Sequence, residues 1–194
     1  MSITYPLEMP DLRSLASITI RSVNVVALSS SQFTLAHQVH AWPGQRWEAD
    51  IELPRLTRVD AQQWAAWMTS LRGMVGTFLL GDPAIIKRGT ATSAVVSGVS
   101  GTGELSVAMS GSLLAGDHIQ IGAGAGARLH QVLADQGGDG TLQVWPYLRR
   151  TVEGEALILT SPKGVFRLSS NLVEWTMRPA NLSAGRSFSA MEVI

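Results

Sequence analysis

Residues 119–133 read IQIGAGAGARLHQVL. An apolar triplet runs into alternating glycines, and a mixed apolar and polar run follows. Taken alone, Gly122, Gly124 and Ala127 reproduce the G-x-G-x-x-A spacing of a dinucleotide-binding turn. That turn belongs to a βαβ unit of about thirty residues, with a crossover helix and an acidic residue after the second strand. Here the next cluster of breakers, Gly137 to Gly140, arrives too soon for such a helix. The stretch therefore reads as a β-hairpin with glycines at its tip, and the fold as β rather than α/β.

The surrounding sequence agrees. Short strand patterns recur at ELSVAM (104–109), DHIQIG (117–122), ARLHQVL (127–133), TLQVWPYL (141–148) and ALILT (156–160), in a glycine-punctuated background. That rhythm predicts a small all-β barrel or roll. Asp139-Gly140 reads as the tight turn between ARLHQVL and TLQVWPYL. The segment ADQGGDG (134–140) resembles a calcium loop, but Gly137 stands at its middle carboxylate position and Pro146 at its final bidentate position.

On either side the style changes. LRSLASITIRSVNVVAL (12–28) predicts one long strand. In RWEADIEL (46–53), Trp47, Ala49, Ile51 and Leu53 alternate with Arg46, Glu48, Asp50 and Glu52, the pattern of a half-buried antiparallel strand. Together with their connector these two strands predict a long hairpin. VDAQQWAAWMTSLRG (59–73) predicts a helix whose apolar stripe is Trp64, Trp67, Met68 and Leu71, with Asp60 as N-cap and Gly73 as its left-handed end. GTFLLGDP (76–83) predicts a short buried strand. GVFRLSS, VEWTM (173–177, with Val173, Trp175 and Met177 alternating) and SFSAMEVI return to the first style. The expected organisation is a discontinuous β-sandwich with one packed α-helix, residues 1–86 and 163–194, interrupted by a small β-barrel module at 87–162.

The chain is 45% hydrophobic and 15% charged, and its fifteen basic residues offset fifteen acidic ones. No global charge draws it to nucleic acid or an anionic membrane. It has no cysteine, which excludes disulfides, thiolate metal sites and cysteine nucleophiles. The first residues lack the basic and apolar pattern of a secretory signal, so synthesis and folding in the cytoplasm are expected. No membrane anchor is expected. The four histidines, His37, His40, His118 and His130, fit no metal motif and read as surface residues. No serine sits in G-x-S-x-G and no paired-carboxylate signature occurs, so neither an enzyme nor a cofactor is expected.

Two groups stand out as contact candidates. The polar connector at 29–45, broken by Pro43-Gly44, carries Phe33, Leu35, Val39 and Trp42, apolar side chains that a solvated loop has no reason to keep. They form a candidate assembly interface, mobile in the free subunit and ordered on assembly; the alternative is that the segment folds back over its own sheet edge. In the module, Trp145, Tyr147, Arg149 and Arg150 are candidate surface contacts for a partner chain or, through aromatic stacking, for carbohydrate.

The stretch RWEADIELPRLTRVDAQQWAAWMTSLRGMVGTFLLGDP (46–83) resembles the distal tail proteins, or minor tail proteins, of long-tailed bacteriophages. LVEWTMRPANLSAGRSFSAMEVI (172–194) resembles their closing pair of strands, and LLAGDHIQIGAGAGARLHQVLADQGGDGTLQVWPYLR (113–149) the β module that some of them carry as an insertion. The resemblance implies a tail-tube-like sandwich that forms a homo-oligomeric ring, usually hexameric, at the virion tail tip. Such a ring joins the tail-tube protein to the hub or baseplate and the host-binding apparatus. DNA would pass through its lumen without sequence-specific binding. The competing expectation is a carbohydrate- or receptor-binding module of the tail tip.

Overall fold

The computed structural model describes residues 3–10, 15–174 and 186–194. Among them the chain is mainly β, with a single α-helix. One antiparallel sheet has five strands in the order β1 (Ser17–Ser30), β2 (His37–Leu53), β13 (Arg186–Glu192), β12 (Gly164–Leu168) and β3 (Phe78–Leu80). Alternation in β2 places Trp47, Ala49, Ile51 and Leu53 on the buried face, as the sequence predicts. Ile18 and Ile20 of β1 lie directly opposite Ile51 and Ala49 and extend that face.

Helix α1 (Arg58–Ser70) covers it. Trp64, Trp67, Met68 and Leu71 are all buried in the same core as Ile51, Leu53, Phe78 and Phe166. The indole of Trp67 packs edge-on against Phe78, with centroids 5.1 Å apart, and its N–H donates to the Glu8 carbonyl at 2.9 Å. The expected N-cap is corrected. Thr57, not Asp60, caps the helix: its hydroxyl accepts from the Asp60 amide and donates to the Asp60 carboxylate at 2.6 Å. The helix therefore starts three residues earlier than an Asp60 cap would place it, and Asp60 sits in the first turn, where a negative charge favours the dipole. At the other end Gly73 is left-handed as expected (φ 66°), but Arg72 shares the turn (φ 53°).

The second sheet has six strands in the order β11 (Val152–Ala156), β4 (Ala94–Gly98), β5 (Glu104–Met109), β10 (Gly140–Trp145), β8 (Arg128–Val132) and β7 (His118–Ile121). It curls into a half-barrel around Val96, Leu105, Val107, Ile119, Leu142 and Val144. The antiparallel pair Gln120–Ile158 links β7 to the segment after β11. A two-residue pair, β6 (Ser112–Leu113) with β9 (Gln136–Gly137), flanks it. The glycine run is the β7–β8 hairpin connection, with one 3-10 turn at Gly124–Gly126.

Three expectations in this region are revised. Asp139-Gly140 is not a two-residue turn. Residues 133–139 connect β8 to β10 and include β9, while Asp135 and Asp139 accept the amides of Ala115 and Met109. The strand expected at ALILT lies earlier, over Val152–Ala156. There Glu153, Gly154 and Glu155, with Gly154 left-handed in a bulge, hide it from a hydrophobic pattern. The terminal SFSAMEVI strand is present as β13, whereas Trp175, Thr176 and Met177 of the VEWTM expectation lie outside the described residues.

The two sheets meet around Trp47 and beside β12, where the Val165 amide donates to the Ala127 carbonyl. Leu129 of β8 is buried in the core of the first sheet, and Trp145 of β10 packs against it. Replacing Trp67 with alanine should lower stability by about 3–5 kcal/mol, because the indole fills the space between α1 and Phe78. Chemical denaturation of Trp67→Ala checks this; a change under about 0.5 kcal/mol would place the side chain outside the core.

Candidate assembly interface

The connector singled out in the sequence is mostly strand. β1 and β2 stay paired out to Ser30 opposite His37, so the turn spans only residues 31–36. The Ser31 hydroxyl accepts the amides of Phe33 and Thr34 there. Pro43-Gly44 is a bulge, not a break. Asn24 lies opposite Gln45, but the next pair is Val26 with Ala41, leaving Val25 to face residues 42–44. Proline, which lacks an N–H, is tolerated at such a bulge. Gly44 packs against Val25, whose Cγ2 would lie 2.7 Å from a Cβ at position 44, so a larger residue there would have to push that side chain aside.

Beyond that bulge the hairpin is an arm. Strand β13 pairs with β2 only as far as Met191 opposite Glu48, so past Trp47 the arm has no sheet neighbour among the described residues. β1 is an edge strand throughout. Residues 37–44 alone extend roughly 25 Å. Every residue from Asn24 to Trp42 is exposed except Ser31, which is half-buried. Phe33 is 97% exposed, Leu35 74%, Val39 60% and Trp42 51%. Directly paired strand residues share a face. Val26, Ala41, Leu28 and Val39 therefore form one apolar face, while His40 and Trp42, whose rings are 6.1 Å apart, lie on the other. Leu35 adopts a left-handed φ of 57° at the tip.

Residues 24–45 contain no Asp, Glu, Lys or Arg. Charged groups resume at the base, where Arg21 pairs with Asp50 and Arg46 with Glu48. Arg21 and the Ser189 hydroxyl together hold the Asp50 carboxyl below its ordinary range. Of the features on this arm, the alternation of apolar residues after the bulge was hidden from the sequence, because two extra residues in β2 shift its pairing with β1.

The module candidates do not form one surface. Trp145 is half-buried. Its ring packs edge-on against Trp47 at 4.4 Å, and its N–H donates to Asn24 Oδ1 at 2.9 Å. Tyr147 is exposed, and its backbone N–H donates to Gln45 Oε1 at 2.8 Å. Arg150 is tied to Glu155. Arg149 is half-buried, with Nε and Nη2 enclosed and without a partner among the described residues.

Two histidines depart from expectation. His37 and His40 are exposed on the arm, but His118 and His130 are buried. Both faces of the β7–β8 pair are covered, and His118 points towards Trp47 (5.8 Å between rings) while His130 shares the face of Ile119, in the module. His130 Nδ1 lies 2.8 Å from the Pro146 carbonyl. Burial lowers its pKa to about 4; that carbonyl opposes the shift and the charges of Arg149 and Arg128 add to it. Glu192, also buried, accepts the Trp47 amide at 3.0 Å, and burial raises its pKa. Among the described residues no group of three His, Asp or Glu is placed to hold a metal, and no helix is long and apolar enough to cross a membrane.

No family model matches the chain, and no curated protein matches it in sequence.

The buried histidine gives a pH dependence with a definite sign. Unfolded His130 takes up a proton below about pH 6.5, while the folded residue resists until about 4. Its contribution is thus complete above 6.5 and is lost as pH falls towards 4, on the order of 3 kcal/mol in all. Glu192 acts oppositely, since protonating it relieves its burial. Urea unfolding at several pH values should show a shallower acid-side loss for His130→Gln than for wild type; parallel profiles would contradict a buried neutral imidazole.

Proposed function

We propose that the chain is a structural subunit that assembles through its hairpin arm, namely a ring-forming distal tail subunit of a long-tailed bacteriophage. In that role it joins the tail tube to the hub or baseplate at the virion tail tip, with copies of itself, the tube protein and the hub as partners. The observation that carries the reading is the arm: a long hairpin without Asp, Glu, Lys or Arg, with one apolar face and both edges unpaired among the described residues. An isolated two-stranded hairpin is at best marginally stable in water. Natural edge strands are blunted by charge, proline or cover, and this one keeps only the proline at its bulge. Exposed apolar surface of this kind marks an interaction site. Val26, Leu28 and Val39 lie on that face, and Phe33 and Leu35 are exposed at the tip. The resemblance of residues 46–83 to distal tail proteins supplies the phage assignment and the expected hexameric ring.

Carbohydrate binding by Trp145 and Tyr147 gains less support. The Trp145 indole is committed to Trp47 and Asn24, which leaves no free stacking platform beside Tyr147.

Leu28 and Val39 are directly paired and exposed, so Leu28→Lys with Val39→Glu, which sets opposite charges across the pair, should leave unfolding within about 0.5 kcal/mol of wild type. Native mass measurements over rising concentration should show the wild type forming closed oligomers and the double variant remaining monomeric. Equal mass distributions for the two would contradict the assembly role of the arm.

A further inference from the structure

The arm leaves the first sheet at the pair Asn24–Gln45, the last regular pair before the bulge. Both side chains point to the same face, and both are held by the end of β10. The Trp145 indole N–H donates to Asn24 Oδ1 at 2.9 Å, and the Tyr147 amide donates to Gln45 Oε1 at 2.8 Å. These partners lie more than a hundred residues apart in sequence, so they report tertiary contact and not local turn chemistry. The same end of β10 is itself fixed. Trp145 stands edge-on to Trp47 at 4.4 Å, and the Trp47 indole donates to the Leu129 carbonyl of β8 at 2.9 Å. Next to this anchored pair, Val25 presses against Gly44 in a bulge of the kind that bends a strand. Past it nothing else among the described residues of the chain supports the arm.

We infer that the inserted module is a brace for the arm: Trp145 and Tyr147 hold Asn24 and Gln45, and so set the direction in which the arm leaves the sheet. This deepens the assembly reading on which its purpose rests. A hairpin free to pivot at its base samples many directions and loses entropy on docking; one held in place is pre-organised for its partner. Asn24, Gln45 and Trp145 are then positioning residues, acting through the arm and not at its contact face.

The absence of cysteine makes the test direct. Spin labels at Gln32→Cys on the arm tip and Gln62→Cys on the exposed side of α1 report the arm-to-sheet distance by electron–electron resonance in dilute, unassembled protein. The otherwise native chain should give one narrow distribution. Asn24→Ala with Gln45→Ala should at least double its width, and Trp145→Phe, which removes the N–H donor and keeps a ring, should broaden it to an intermediate degree. Near-ultraviolet circular dichroism confirms that each variant is folded. An unchanged width in both variants overturns the brace. If the distribution broadens while oligomer formation is unaffected, the brace stands and the assembly role of the arm fails. If assembly is lost with the width unchanged, the brace fails and the arm keeps its role.

Discussion

Trp47 is where the parts of this molecule are joined. Its backbone amide donates to Glu192 of β13, its indole donates to Leu129 of β8, and its ring meets Trp145 of β10 and His118 of β7. It is also the residue at which β2 changes from a sheet strand into one half of an arm, because β13 ends beside it. A buried indole with its N–H satisfied gives both area and direction. Around it the sheets are tied further by Val165 to Ala127 and Lys163 to Gln120, and the arm's base by Trp145 to Asn24 and Tyr147 to Gln45. The polar groups around it are an accounting consequence. Glu192 is buried beneath it, where burial raises its pKa, and burial beside it lowers that of His118.

The arm has a physical logic that the rest of the surface does not share. The base of β1 and β2 follows ordinary surface practice, with Arg21, Asp50, Arg46 and Glu48 paired on the solvent side. From Asn24 to Gln45 charge disappears while strand pairing continues. A charge-free edge is a liability for a free monomer and an asset in an assembly, where each buried charge would have to be desolvated. The chain's zero net charge means that copies approach without general repulsion.

Much of the fold was legible where periodicity was clean. RWEADIEL gave its buried face residue by residue, the Trp64–Leu71 stripe gave the helix, and the glycine run resolved into a hairpin once chain length ruled out a crossover. Reading failed where a local irregularity interrupts the period. Thr57 took the cap expected of Asp60 because a hydroxyl three residues upstream satisfies the first turn equally well. The strand Val152–Ala156 was concealed by two glutamates around a left-handed glycine, and the extent of the β1–β2 pairing by a bulge at Pro43-Gly44. Histidine burial was illegible for a different reason. Whether His118 and His130 face water depends on the docking of two sheets, which no local pattern encodes. The four arm residues were found from composition alone, whereas Asn24 and Gln45, which tie the arm to the module, carry no signal in sequence.

Amide hydrogen exchange along residues 26–41 in dilute monomer and in the assembled oligomer tests the central claim most directly. The arm's hydrogen bonds join two strands with no third beside them among the described residues, so these amides should exchange quickly in the monomer. They should become strongly protected in the assembly, while amides of Ile51, Leu53 and Phe166 change little. Identical exchange of the arm in the two states would contradict the account.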